Sequence, residues 1–314
     1  MESAEFYNNL SIMKTYEQGE TMGNISELTE QVEFSNQAAA GDAVAVPSLP
    51  TTRLSKNLFF DAVSEGQFEE ARNLLQMGAD VNWRDEESDM ETALHYAVER
   101  NDSHVVDLLL AQPGVNVNIK TLSNEMTPLS MACGLGLEEM TRKLLRAPGI
   151  KLNIRCRLGN TALHYAAAGD FTTCLELLRD SPGADMLLWT LKNDEMESPL
   201  YKAVMENAIG SLGIILGLPI SKMGKLENTD SYGIVWYAIC NDLGEAGDRD
   251  KIVEMLSEDQ RINFNLADVL TGDTPLLHCL KEKKVEMSKI ILKNPRVDLN
   301  VKNNAGEFPE SIAR

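Results

Sequence analysis

Thr92-Ala93-Leu94-His95-Tyr96-Ala97 and Thr161-Ala162-Leu163-His164-Tyr165-Ala166 are one six-residue phrase written twice in the same chain. Related phrases are Thr127-Pro128-Leu129-Ser130-Met131-Ala132, Ser198-Pro199-Leu200-Tyr201-Lys202-Ala203 and Thr274-Pro275-Leu276-Leu277-His278-Cys279. A weaker version runs from Gly233 to Ala238, and degenerate ones from Asn57 to Ala62 and from Phe308 to Ala313. The starts at 57, 92, 127, 161, 198, 233, 274 and 308 are 35, 35, 34, 37, 35, 41 and 34 residues apart. A period sustained over about 250 residues makes internal repetition the first fact to settle. Each phrase has the chemistry of a helix start: Thr or Ser to cap, Pro for the first turn, and a small Ala that lets a neighbouring helix approach. A second helix follows, with apolar pairs at Leu74-Leu75, Leu109-Leu110, Leu144-Leu145, Ile215-Leu216 and Ile291-Leu292. One such pair of helices cannot cover its own apolar face, so the units must stack into a solenoid of seven complete helix pairs.

Several units end alike, as Gly78-Ala79-Asp80-Val81-Asn82, Gly114-Val115-Asn116-Val117-Asn118, Gly149-Ile150-Lys151-Leu152-Asn153 and Val297-Asp298-Leu299-Asn300. With the opening phrases, these endings resemble the ankyrin-repeat family over about 260 residues. The resemblance implies an all-α ankyrin-repeat solenoid of helix-turn-helix units joined by β-hairpin loops. The units start near 52, 87, 122, 156, 193, 228 and 269, with a partial eighth from 303. Because the sequence stops before the eighth unit could form a second helix, a longer natural chain or a covering partner is expected there.

Two departures from the period locate insertions. Six extra residues separate the helices of the sixth unit within Asn241 to Asp250, which reads as an exposed loop. The two extra residues of the fourth unit fall in the turn around Pro182-Gly183. Lys281, Lys283 and Lys284 read as a solvated turn.

Residues 1–54 contrast with the repeats 55–314: they are acidic, with an Ala/Gly run, Pro47 and Pro50, and little periodicity. Such a segment buries too little apolar surface to offset its ordering entropy, so a mostly disordered tail is expected. The whole chain sets 29 Lys and Arg against 48 Asp and Glu, a net charge of −19. Nucleic acid and anionic lipid surfaces need a basic footprint, which argues against both as direct partners. The longest apolar stretch, Ala208 to Ile220, is interrupted by Gly210, Gly213 and Gly217 and falls short of a membrane span. The acidic N-terminus lacks the features of a signal peptide or a mitochondrial presequence, so a cytoplasmic protein is expected, with nuclear residence also compatible.

Cys133, Cys156, Cys174, Cys240 and Cys279 show no metal or redox spacing and read as reduced core residues. His95, His164 and His278 fall in or beside the repeated phrase, where a packed structural role outweighs metal binding. No nucleophile is paired with a base at a recognisable spacing, and no phosphate-loop sequence occurs, so no enzyme, cofactor or metal is expected. Trp236 takes the place of the motif histidine and should pack between units, whereas Tyr232, in the turn before it, should be better exposed.

The resemblance implies a non-enzymatic protein-interaction module, acting as adaptor, scaffold or inhibitor through hairpin tips and a concave face. The tail followed by these repeats is also reminiscent of the cytoplasmic inhibitors of Rel transcription factors, although it lacks their Asp-Ser-Gly-x-x-Ser phosphodegron. The alternatives are the targeting region of a larger enzyme and a ubiquitin-ligase substrate adaptor. In the family's geometry, residues one and three before each phrase sit at the tip, and those seven or eight after its start face the groove. These offsets select Asp89, Glu91, Glu99, Arg100, Met126, Leu135, Asn160, Glu195, Glu197, Met205, Glu206, Asp230, Tyr232 and Asn241. Two acidic groups flank a more apolar centre, which suits a partner protein with a basic face and one apolar anchor.

Overall fold

A computed structural model describes residues 53–312 apart from 87–88, 185–188, 220–227 and 241–245. The expected disordered tail lies outside the described residues, except that helix starts at Arg53. Fifteen helices follow in pairs: α1 (Arg53–Ser64) with α2 (Phe68–Gln76), α3 (Ala93–Glu99) with α4 (Ser103–Leu110), α5 (Pro128–Gly134) with α6 (Glu138–Leu145), and α7 (Ala162–Ala168) with α8 (Thr172–Arg179). Then come α9 (Pro199–Met205) with α10 (Ile209–Leu216), α11 (Asn228–Cys240) with α12 (Ala246–Glu258), α13 (Pro275–Lys281) with α14 (Val285–Lys293), and the single turn α15 (Pro309–Ile312). Each odd-numbered helix packs on the next odd one and each even on the next even, so two parallel rows build one helical repeat solenoid.

The caps follow from the phrase. The Oγ atoms of Thr127, Ser198 and Thr274 accept from the amides of Ser130, Tyr201 and Leu277, and Pro128, Pro199 and Pro275 open the helices they cap. Among the described residues, each tight turn between paired helices uses one residue in the left-handed region: Gly66, Asn101, Gly136, Asp170, Asn207 and Lys283. Gly136 reaches φ +66° without cost, while Lys283 at φ 57° carries a side chain where Cβ is crowded.

The core is one continuous strip between the rows. Leu109, Leu144, Ile215 and Ile291 of the even helices are fully buried, and Leu129, Leu163, Leu200 and Leu276 meet them from the odd helices. Each closed Leu or Ile of this kind stabilises by roughly 1.5–3 kcal/mol relative to exposure.

The loops are stitched from unit to unit by asparagine. Asn82 Nδ2 donates to the Gly114 carbonyl (2.8 Å) while its Oδ1 accepts from the Asn116 amide (2.7 Å). Asn118 does the same for Gly149 and Lys151, and Asn265 for Arg296 and Asp298. One amide side chain thereby satisfies a donor and an acceptor of the following unit, the reason for Asn at the end of the repeat.

The hairpin tips are short, and one loop expectation needs correction. The described residues contain a single strand ladder, β1 (Arg84–Asp85) with β2 (Glu91–Thr92). The other tips close on one backbone bond, such as Thr121 N to Met126 O or Asn193 N to Glu197 O, too short to continue as strands. In the sixth unit, α11 and α12 are 13 residues each, so Ala246 to Asp250 are helix where a loop was expected. The extra residues add turns to the second helix, and what remains of the loop, 241–245, lies outside the described residues. The turn at 180–183 has the length of its counterparts in the second and third units, so the fourth-unit excess falls after it, in a stretch that includes 185–188, outside the described residues.

Candidate partner-binding face

The motif histidines stand behind this face and hold it together. The Thr92 amide donates to His95 Nδ1 (3.2 Å), so Nε2 carries the ring proton and donates to the Met126 carbonyl (3.2 Å) of the next unit. His164 repeats the arrangement between the Thr161 amide and the Glu197 carbonyl (3.1 Å each). Burial pushes both imidazoles down to about 4, which keeps them neutral as the tautomer requires. Trp236, in the same motif position, donates from Nε1 to the Leu266 carbonyl (3.1 Å), preserving the bridge with an indole. Among the described residues no cluster of metal-ligating side chains occurs.

Three of the residues immediately before the phrase, Met126, Asn160 and Glu197, are buried in the stack, away from the tip position expected of them. Met126 is buried, and its amide and carbonyl are engaged by Thr121 and His95. Asn160 is buried with Oδ1 accepting from Asn193 Nδ2 (2.9 Å), and the same Asn193 amide donates to buried Glu197 Oε2 (2.8 Å). Glu197 also pairs with Lys202 at 2.6 Å. The chain returns from the tip to the cap at this position, so its side chain is carried under the adjoining turn. Asp273, Asn303, Glu307 and Lys281 build the same network at the last interface.

Asp230 and Tyr232 are helical in α11, because the helix begins at Asn228 and consumes the expected hairpin. Tyr232 is half-buried and donates from its hydroxyl to Asp268 Oδ2 (3.3 Å), against the exposed position expected of it. Asn241 lies outside the described residues.

The remaining selected residues do line the turns and the ends of odd helices. Glu195 and Arg100 are exposed, and Asp89, Glu91, Glu99, Leu135, Met205 and Glu206 are half-buried. Arg100 lies over the Tyr96 ring at 5.7 Å. Asp89 Oδ1 is held by the amide and hydroxyl of Ser123 (2.6 and 2.5 Å), joining two neighbouring tips.

The second unit concentrates negative charge. The strand register sets Asp85 directly opposite Glu91, so ionising both carboxyls would put like charges across the ladder. Burial, then Glu99, Asp89 and Asp85, push the Glu91 carboxyl up to about 8. Burial also raises Glu99, against Arg100, and Glu206, against Lys202.

A further set on these turns is not singled out by the offsets. Leu122, Leu158, Met196, Val269 and Leu270 are large apolar side chains exposed on the tips of the third, fourth, fifth and seventh units, Leu270 at 85%. The available signal was an apolar residue in turn sequences otherwise rich in Ser, Asn, Gly and Asp. The tips are also linked by backbone bonds, from Leu122 N to Asp89 O, Arg157 N to Asn124 O, Asp194 N to Leu158 O and Asn304 N to Thr271 O.

A family model described as ankyrin repeats in three copies matches residues 58–156 and 94–190. Residues 58–190 carry ankyrin repeats. Beyond residue 190, where the match ends, paired helices continue in the same two rows to α14. The poly [ADP-ribose] polymerase tankyrase of Caenorhabditis elegans is 30% identical over 240 residues, 64% of this chain and 10% of that protein. Human ankyrin repeat domain-containing protein 63 is 35% identical over 130 residues, 41% of this chain and 33% of that protein. The Arabidopsis thaliana E3 ubiquitin-protein ligase KEG is 33% identical over 146 residues, 46% of this chain and 9% of that protein. The chain therefore matches a tenth to a third of the length of these relatives. No helix among the described residues is long and apolar enough to cross a membrane.

Proposed function

We propose that the ankyrin repeats of this chain bind another protein through the exposed tips and the ends of the odd helices, as a non-enzymatic adaptor, scaffold or inhibitor. Ankyrin repeats are interaction modules in general. The observation that carries the chemistry of the partner is the acidic group around Glu91 in the second unit. Its carboxyls are partly desolvated and crowd one another, so Glu91 stays protonated at neutral pH, and a cationic side chain from outside would favour its ionised form and relieve the repulsion within the group. The exposed Leu122, Leu158 and Met196 of the next units supply apolar contact beside it. A partner with a basic segment and an apolar anchor fits both, and a cytoplasmic location, with nuclear residence compatible, suits such a partner.

The second reading, a targeting region for ubiquitin ligation or another enzymatic domain, is favoured by the names of relatives. Tankyrase and the KEG ligase are enzymes of which the matched segment is a small part.

The test replaces Glu91, Glu99 and Glu206 with Lys, and separately the even-helix acids Glu69, Glu176 and Glu254, then captures partners from native extract and identifies them by mass spectrometry. Loss of partners with the first set and retention with the second supports the assignment. Equal loss with both sets, or none with either, refutes it.

A further inference from the structure

Cys240 sits at the last position of α11, seven residues after the start of its phrase, and is the one exposed cysteine among the described residues. That departs from the reading of all five as core residues, which holds for Cys133, Cys156, Cys174 and Cys279. The Cys240 Sγ lies 3.5 Å from Nε2 of His278, 38 residues away in the next unit. The sequence alone shows no such pairing, because a nucleophile and a base on consecutive repeats meet only once the odd helices align.

The imidazole is held for the contact. His278 is half-buried, and the Trp236 ring packs edge-on against it with centroids 5.3 Å apart. Trp236 is itself fixed by its bond to the Leu266 carbonyl. Lys284 Nζ donates to the Ile239 carbonyl (2.6 Å), placing an ammonium at the C-terminal end of α11 beside Cys240. That cation opposes the negative end of the helix dipole, which would otherwise disfavour a thiolate there.

We propose that Cys240 and His278 form a reactive thiol–imidazole pair, a modification site that takes hydroperoxides. The thiol proton passes from Sγ to Nε2, and a sulfur lone pair attacks the terminal oxygen of the hydroperoxide. The S–O bond forms as the O–O bond breaks, and the departing alkoxide or hydroxide takes the proton back from the imidazolium as alcohol or water. Sulfur is oxidised to the sulfenic acid while the peroxide is reduced. Any effect of this oxidation on partner binding rests on the proposed groove, whereas the chemistry itself does not, and the experiment reads the chemistry alone.

The 314-residue chain is treated at pH 7 with hydrogen peroxide in the presence of dimedone, and in parallel with iodoacetamide, with labelling of each cysteine followed by peptide mass spectrometry. The expected result is Cys240 labelled about tenfold faster than a cysteine in a short unstructured peptide. His278→Ala should bring Cys240 down to the peptide rate, and added imidazole should restore most of the loss. Three results overturn the proposal: a wild-type rate no higher than the peptide, a rate unchanged in His278→Ala, or a slowed variant that imidazole does not rescue. The comparison of wild-type protein with the peptide stands even where the variant folds poorly.

Discussion

At the scale of single residues, the repeat spends its polar groups on joining units. His95, His164, Asn82, Asn118 and Asn265 each satisfy two backbone atoms, and in every case at least one belongs to the following unit. Glu91 is the exception, since it faces Asp85 across the ladder and has Glu99 and Asp89 nearby. Its carboxyl keeps a proton up to about pH 8 in the folded chain, against an ordinary value of 4.5 once unfolded. Between those values the unfolded state binds fewer protons, so the contribution of Glu91 to stability falls as pH rises through the window and is lowest above it. Glu91→Gln removes that loss. Urea unfolding should show the variant more stable than wild type by on the order of 2 kcal/mol at pH 7, with little difference at pH 4. Equal midpoints at both pH values would contradict the burial and charge crowding assigned to this carboxyl.

At the scale of elements, what the sequence showed is what a helix writes locally. Caps, first-turn prolines and the fully buried Leu109, Leu144, Ile215 and Ile291 are spaced by the helix itself, so α3 to α10 stand where the phrases put them. The tips were less legible because their geometry depends on the adjoining tip. Nothing local says that Asn160 and Glu197 turn under it while Leu158 and Met196 turn out. In the sixth unit α11 starts early, at Asn228, and α12 absorbs part of the insertion, neither of which local propensity shows. The interhelix turns are a clearer case, because they require one left-handed residue, and five of six use Gly, Asn or Asp. Lys283 is the sixth, exposed at φ 57°. Lys283→Gly should therefore raise stability by about 1 kcal/mol in thermal or urea unfolding, the strain relieved outweighing the added chain freedom of glycine. A loss of stability would show that the lysine side chain contributes more at this turn than its backbone costs.

At the scale of the whole solenoid, each pair of helices packs against the pairs on either side of it. Leu129, Met140, Leu144 and Leu175 in α5 to α8 are closed from both sides. In the last full pair, Val285 and Leu292 of α14 and Leu299 beyond it are about half exposed. A stack held by nearest-neighbour contacts opens where a neighbour is least complete, because a terminal pair breaks one interface and a central pair two. Amide hydrogen exchange on the 314-residue chain should therefore show α14 exchanging faster than α6 and α8, through a separate opening that does not expose the centre. The position of the difference matters as much as its size. Gly213 in α10 and Gly217 at its C-cap, and the two lengthened helices of the sixth unit, lie between the central pairs and this end. Protection declining stepwise from α8 through α10 and α12 to α14 would follow the chain of interfaces. Uniform protection across the even helices would mean instead that the units open as one, with the asparagine and histidine bridges coupling them more strongly than the apolar contacts between rows.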